Sequence, residues 1–350
     1  MRSPVRTLLV GVGTRGKHWA RIMHDEPLCE TVGYMDLDPT GLAAIQKMYP
    51  APDVFTDLDE ALAGVDADLV ILATPPMGHL EQAGKIFDSG RHLQAEKPLT
   101  LDLAESVEIV RLADAAGLTL TVGLNFRYLE VTTAAKKLFE SGEIGEPSFA
   151  EFHYWTNRDG RRPGINKYPL TMRQPMLYEQ SIHHLDLFRF TYGREVERVS
   201  AVTHNPPWSI YDDDATVVAL LEMTGGVLVN YMGTWSGQSK LRRFFWRTDC
   251  PEGVVYQREL FSDLTIVRAG SDQFEPIDLP AQENFVDDTR GLLRHVLKQL
   301  VAGVKEPVPS GRDHLKTLAL TVACEESSRE HTVVEMSAFY ARHGIPAEWL

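Results

Sequence analysis

Cysteine is scarce in this chain: Cys29, Cys250 and Cys324 are the only three among 350 residues. So few, so scattered and odd in number, they argue against a disulfide framework or a thiolate zinc site and suit a reducing, cytoplasmic setting. Long apolar runs are missing as well, and no stretch approaches the roughly 20 residues that a bilayer span requires. Positive charge is outweighed, with 35 Lys and Arg against 49 Asp and Glu and a formal net charge of −14. Nucleic acids and anionic membranes attract clustered Lys and Arg, so neither is an expected partner, although a local basic patch remains compatible with that total. The opening "MRSPVRTLLVGVG" has charge before apolar residues, but its apolar run is short, ends in glycines and lacks a small-residue cleavage site. It reads as a first strand rather than a signal peptide.

A chain of this length exceeds what one hydrophobic core usually serves, so two domains are expected. In the first third, β-rich runs at 7–12, 32–36, 69–73, 92–95 and 119–123 alternate with helical patterns at 41–49, 80–89 and 102–116. That rhythm predicts a doubly wound parallel sheet with helices on both faces, over residues 1–124. Beyond Asn125 the order changes. A helix at 130–141 precedes the strand "SFAEFHYW", then a polar stretch without period, then a helix with Pro175 near its first turn and Gly193 just past its end. Strands follow one another from 197 to 268, including two that flank "TGG" at 224–226, a hairpin signal. Residues 125–350 are therefore expected to form an α+β domain with an open, mainly antiparallel sheet.

"GVGTRG" spaces Gly11, Gly13 and Gly16 as G-x-G-x-x-G, after a strand and before the helical run "KHWARIMHD". In that context the first glycine allows a tight turn, the second lets the backbone approach a pyrophosphate, and the third lets helix and strand pack closely. Thr14 and Arg15 lie in the same loop. Asp36 ends the second strand 23 positions beyond Gly13 and is followed by Leu37. A carboxylate there suits a ribose 2′-hydroxyl and repels a 2′-phosphate, so NAD is favoured over NADP. "ATPP", with Thr74 and Pro75, and "AEKP", with Glu96 and Lys97, each follow a strand of the parallel sheet, where ligands bind in this architecture.

Taken together with "DLDP", His79, "GLNFRY", "IHHLDL" and "SGRDHLKTLALTVACEESSRE", these motifs resemble the Gfo/Idh/MocA oxidoreductases over essentially the whole chain. The resemblance implies NAD-dependent hydride transfer to or from a secondary alcohol of a sugar, cyclitol or derivative. It adds His79 and Asn125 to the cofactor contacts and implies a homodimer or homotetramer.

Adjacent His183 and His184 diverge by about 100° on a helix, a poor chelate, so no metal site is expected. Leu177, Ser181, Leu185 and Phe188 form a stripe facing the core. On the residues alone, Glu179 and His183 four apart read first as a solvated polar face. In the resembled family the corresponding helix carries an aspartate and, four positions on, a histidine that works with the lysine of "EKP" on the substrate hydroxyl. His183 and Lys97 take those places, and Glu179 stands in the aspartate position, one methylene longer. Histidine titrates near neutrality and suits the general base, with Lys97 orienting the oxygen; the chemistry also admits the reverse. Arg127, Tyr154 and Arg158 are candidate substrate contacts, and Arg158, Arg161 and Arg162 make either a solvated basic loop or an anion site. Trp155 or Trp235 could serve as a sugar-stacking wall. Two other functions share these motifs: an NAD-retaining glycosidase or lyase acting by transient oxidation, and a non-catalytic NAD-binding regulator.

Overall fold

The computed structural model describes residues 1–350. Two compact units emerge: Met1–Asn125 with Phe285–Lys316 and Glu348–Leu350, and Phe126–Asn284 with Thr317–Ala347. A single cut between 124 and 125 leaves the segments at 285–316 and 348–350 with the second domain, whereas their contacts put them in the first unit.

The first unit runs β1 (Val5–Val10), α1 (Thr14–Asp25), β2 (Cys29–Met35), α2 (Pro39–Met48), β3 (Asp53–Phe55), α3 (Leu58–Gly64), β4 (Leu69–Leu72), α4 (His79–Asp88), β5 (His92–Ala95), α5 (Leu103–Ala116) and β6 (Leu120–Val122). All its strands pair in parallel, in the order β3-β2-β1-β4-β5-β6. Order reverses between β1 and β4, and ligands of such sheets bind outside the strand ends at that point. The Val-, Ile- and Leu-rich β1 and β4 are buried almost throughout, as strands covered on both faces must be. Strand β3 and helix α3 are absent from the sequence expectation. The strand has three residues, none of them buried, and therefore no apolar signature.

The second unit holds α6 (Glu130–Glu140), β7 (Phe149–Trp155), α7 (Ile182–Tyr192), β8 (Val196–His204), β9 (Thr216–Met223), β10 (Val227–Thr234), β11 (Arg243–Cys250), β12 (Gly253–Gln257), β13 (Thr265–Arg268) and β14 (Glu275–Pro276). Helix α8 (Asp287–Val301) belongs to the first unit. Helix α9 (Gly311–Glu330) spans the 316/317 boundary, and β15 (Val334–Glu335) and α10 (Met336–Arg342) return to the second. Nine strands pair in the order β14-β13-β12-β11-β7-β10-β9-β8-β15, antiparallel except where β7 meets β10. Phe152, Tyr231 and Trp246 point to the inner face and pack with Phe188 and His184 of α7, and Phe244 packs edge-on against Phe152.

Helix α7 is buried almost all round, and its polar residues are satisfied inside the unit. Arg127 donates to both oxygens of Asp186, at 2.7 and 2.6 Å, and Thr317 Oγ1 donates to the same carboxylate at 2.9 Å. Arg189 donates to Thr317 at 2.6 Å and to both oxygens of Glu195. The face expected to be solvated is not on the surface either: His183 is buried at 6% exposure and Glu179 is half-buried. The predicted core stripe is buried as read, with Leu177, Ser181, Leu185 and Phe188 all at 0% exposure. No helix is long and apolar enough to cross a membrane, and all three cysteines are free.

Removing one member of a buried, hydrogen-bonded pair strands the other charge at a cost of about 3–5 kcal/mol. Arg127→Leu should accordingly lower the unfolding free energy by roughly that amount in urea titrations. A variant with wild-type stability and weakened substrate binding would instead place the guanidinium on a ligand.

Candidate active site

In the first unit the glycine loop leaves β1 with Gly11 at φ 90°, left-handed backbone where a Cβ would come within 2.9 Å of the Ala73 carbonyl group. A Cβ on Gly16 would overlap the Gly11 carbonyl oxygen, so α1 can approach the strand only through glycine. Gly13 is different. Nothing lies within 4 Å of a Cβ built there, and its backbone caps α1 with no side chain on the first-turn N–H groups and no acid in that turn. Such a helix start offers N–H donors and a positive dipole end to an anion. Thr14, the first residue of α1, is exposed beside it.

Asp36 follows β2 and accepts from Val12 N–H at 2.6 Å through one oxygen and from Asp38 N–H at 2.9 Å through the other. A carboxylate has about four lone-pair positions, so two bonds leave acceptors for further donors such as ribose hydroxyls. These features fit the pyrophosphate and ribose of a dinucleotide.

Other expected cofactor contacts turn out to brace the loops. Arg15 donates to Glu96 Oε1 at 2.7 Å and to Thr289 Oγ1 at 3.3 Å, and Trp19 Nε1 donates to the same Glu96 oxygen at 2.7 Å. Both Arg15 and Glu96 are thus held within the fold. His79 is 1% exposed, with Nδ1 2.8 Å from the Leu99 carbonyl and Nε2 3.0 Å from that of Thr74. Burial pushes its pKa down, favouring a neutral ring with a single N–H to share between two acceptors. It ties the loop after β4 to the loop after β5. Thr74 Oγ1 donates to Gln82, and Pro75 is exposed. Lys97 is half-buried in the loop after β5, directly beyond Glu96. Asn125 donates through Nδ2 to Asp288, whose carboxyl is fully buried and has its other oxygen unpartnered. Burial raises the Asp288 pKa against the opposing bond from Asn125.

In the second unit, α7 is preceded by a π-helical turn over Met176–Ser181. Glu179 lies in this turn and accepts from Tyr168 Oη at 2.8 Å. The two histidines diverge as expected. His184 is wholly buried: Gln180 Nε2 lies 3.0 Å from its Nε2, Tyr231 Oη 3.0 Å from its Nδ1, and Tyr231 donates onward to Ser181 at 2.8 Å. Burial pushes its pKa down to about 3, so it is a neutral core residue. His183 is stacked on Phe126, ring centroids 4.0 Å apart and planes 15° apart, and Phe261 meets Phe126 edge-on at 4.8 Å. The imidazole plane is thereby fixed by an aromatic face.

Tyr154 is buried on the inner face of β7, 4.9 Å from the His184 ring. Arg158 lies over the Trp235 ring at 4.0 Å and donates to Tyr211 Oη at 3.3 Å. Of the two stacking candidates, Trp155 is on the outer, solvent side of β7 at 37% exposure, and Trp235 is buried under Arg158. Arg127, an expected substrate contact, is committed to Asp186. No three His, Cys, Asp or Glu side chains gather so as to hold a metal ion. Phe126, Tyr168, Tyr211 and Asp288 escaped the sequence reading. They lie in irregular segments or distant in sequence from their partners, where periodicity carries no signal.

The contrast between Gly13 and Gly16 is testable. Gly13→Ala should fold with a melting temperature near that of the parent, yet lose at least tenfold in dinucleotide affinity, because its methyl enters the open space. Gly16→Ala should be destabilised outright. Equal cofactor affinity for Gly13→Ala and the parent would show that no phosphate approaches this loop.

Residues 5–124 match the oxidoreductase family with an NAD-binding Rossmann fold, and residues 132–247 match the GFO/IDH/MocA C-terminal domain. The D-apiose dehydrogenase of Paraburkholderia graminis is 27% identical over 95% of this chain and 90% of its own length. Several other relatives match over about two fifths to two thirds of their length. Among them, the inositol 2-dehydrogenase of Mycolicibacterium gilvum is 28% identical over 63% of this chain and 62% of that one. A solved oxidoreductase from Agrobacterium radiobacter, in complex with NAD+, L-tartaric acid and magnesium, shares the fold. Its TM-score is 0.87 at 21% identity, covering 96% of this chain and 99% of that one. With both halves matched in order, and with the glycine loop and the α7 helix where the sequence puts them, the chain belongs to the Gfo/Idh/MocA family of NAD-binding oxidoreductases.

Proposed function

We propose that this protein is an NAD-dependent dehydrogenase that oxidises a secondary alcohol of a sugar, cyclitol or sugar derivative. The observation that carries the proposal is the open backbone at Gly13, at an uncapped helix start, together with the Asp36 carboxylate bonded to the same loop. The names of the D-apiose and inositol dehydrogenases support the substrate class. Asp36 would hold the ribose hydroxyls and disfavour a 2′-phosphate, giving NAD the preference over NADP.

A bound nicotinamide supplies the hydride acceptor. The chain's own residues do the rest. His183 removes the hydroxyl proton, since its neighbour His184 is fixed neutral in the core and cannot serve. The aromatic face of Phe126 favours the imidazolium that results. Lys97 holds the substrate oxygen and stabilises developing alkoxide charge. Glu179, oriented by Tyr168, accepts a further substrate hydroxyl.

We further propose a homo-oligomer formed through the outer face of the nine-stranded sheet. Phe149, Val202, Val218, Leu220 and Leu228 stand there at 40–60% exposure, an apolar patch of the sort that partners cover.

Lys97→Ala and His183→Ala should each cut kcat at least a thousandfold while NAD affinity stays within about threefold, followed by NADH absorbance and fluorescence titration. Loss of NAD affinity with normal kcat at saturating cofactor would reverse the assignment. Asp36→Ala should weaken NAD and narrow its advantage over NADP, and an unchanged ratio would count against the ribose contact. Substrate consumption without net NADH would point to a lyase that oxidises transiently. Sedimentation should give at least twice the chain mass, reduced to one by Leu220→Glu with Leu228→Glu. A monomeric parent would remove the oligomer proposal.

A further inference from the structure

Four segments meet at one end of the nine-stranded sheet. Because β7 and β10 are parallel, and β9 and β11 run against them, the exits of β7 and β10 lie beside the entries of β9 and β11. Arg158 follows β7, Trp235 follows β10, Tyr211 precedes β9 and Arg242 precedes β11. An isolated bridge between Asn157 and Ser236 and a bond from Arg158 N–H to the Trp235 carbonyl at 2.9 Å fix the first two together.

The Arg158 guanidinium is prepared for a ligand. It lies over the indole of Trp235 at 4.0 Å, and Tyr211 Oη accepts from its Nη1 at 3.3 Å while donating to the Arg158 carbonyl at 2.8 Å. Most arginines of this acidic chain pair with a carboxylate; neither Arg158 nor Arg242 does. Both act electrostatically on the Tyr154 hydroxyl: burial raises that phenol's pKa, and Arg242 and Arg158 pull against the rise. Trp235 Nε1, near the same hydroxyl, is buried without a hydrogen-bond partner of proper geometry. The Arg158 guanidinium, held by Trp235 and Tyr211, thus has no carboxylate bonded to it, although Asp159 acts on the same Tyr211 hydroxyl, and the exposed Arg242 adds a second cation at this end of the sheet. The spot adjoins the helix of the two histidines, since the Tyr154 ring is 4.9 Å from that of His184.

The geometry points to a carboxylate-binding subsite at Arg158, assisted by Arg242, so that the substrate is a polyhydroxy acid of the uronate or aldonate kind rather than a neutral sugar. The inference rests on the dehydrogenase assignment above for the identity of the rest of the ligand. The planar edge of a guanidinium matches the paired oxygens of a carboxylate or a phosphate alike, and the hexose 6-phosphates below tell the two apart. Stacking also holds that edge in place before binding, which limits the ordering entropy that binding costs.

The test is calorimetric titration of the full chain, saturated with NADH, with D-glucuronate and D-galacturonate, their parent hexoses and the hexose 6-phosphates. At least one uronate should bind tenfold or more tightly than its parent hexose. That advantage should shrink at least threefold between 50 and 500 mM NaCl, where a neutral ligand is insensitive. Arg158→Gln should erase it, Arg158→Lys should restore part of it, and Arg242→Gln at the exposed rim should lower it by a smaller factor. Uronate and hexose affinities within threefold of each other, tighter binding of the phosphates, or equal weakening of acid and hexose by Arg158→Gln would each overturn the subsite. The two proposals fail separately. A uronate that binds through Arg158 yet yields no NADH would remove the dehydrogenase and keep the subsite; NADH from neutral hexoses alone would do the opposite.

Discussion

The carboxylate of Glu96 is the constraint on which the cofactor half of this protein depends. Set just past β5, it accepts from Arg15 and from the indole of Trp19, two residues of the first helix, through a single oxygen. Charge-assisted bonds of this kind are among the stronger ones available, and these two are largely removed from water. They anchor α1, hence the glycine loop, to the segment that carries Lys97. Gly123 completes the arrangement, since a Cβ there would come within 3.2 Å of the second Glu96 oxygen. A motif that reads in sequence as a charged turn is in the fold an internal brace.

The α7 helix repeats the theme in the second unit. A helix buried on all sides normally carries apolar residues. Here it carries Asp186, Arg189 and two histidines, each answered by a partner: Arg127, Glu195, Thr317, Tyr231, Gln180 and Phe126. Buried polar groups are costly unless paired, and pairing makes their positions specific. The chain thereby fixes the plane of one imidazole by stacking and neutralises the other by burial. Adjacent residues of one type acquire different chemistry from a turn of about 100° along the helix.

Much of this was legible from spacing alone. The glycine loop, Asp36 and the alternation of strands and helices depend on neighbours a few residues apart, and such local patterns survive in a linear text. The stripe of Leu177, Ser181, Leu185 and Phe188 was visible for the same reason. What escaped was non-local or broke a period. Strand β3 is too short to show alternation, and the parallel pairing of β7 with β10 joins strands more than seventy residues apart. The π-helical turn at Met176–Ser181 departs from the 3.6-residue step. Arg127 looked like a ligand contact because nothing in "GLNFRY" announces Asp186. Asn125 showed no link to Asp288 across 163 positions.

The first unit's composition from three separated segments bears on how the protein comes to be made. When a ribosome has released residues 1–125, the parallel sheet is complete, but Asn125 has no Asp288, and the Leu99 amide lacks the His314 ring that accepts from it. Those partners follow only after the 126–284 stretch, which at 5–20 residues per second takes on the order of ten to thirty seconds. For that interval a nascent nucleotide fold stands with unpaired polar groups on its unfinished side, and its last hydrogen bonds close only when nearly the whole message has been read.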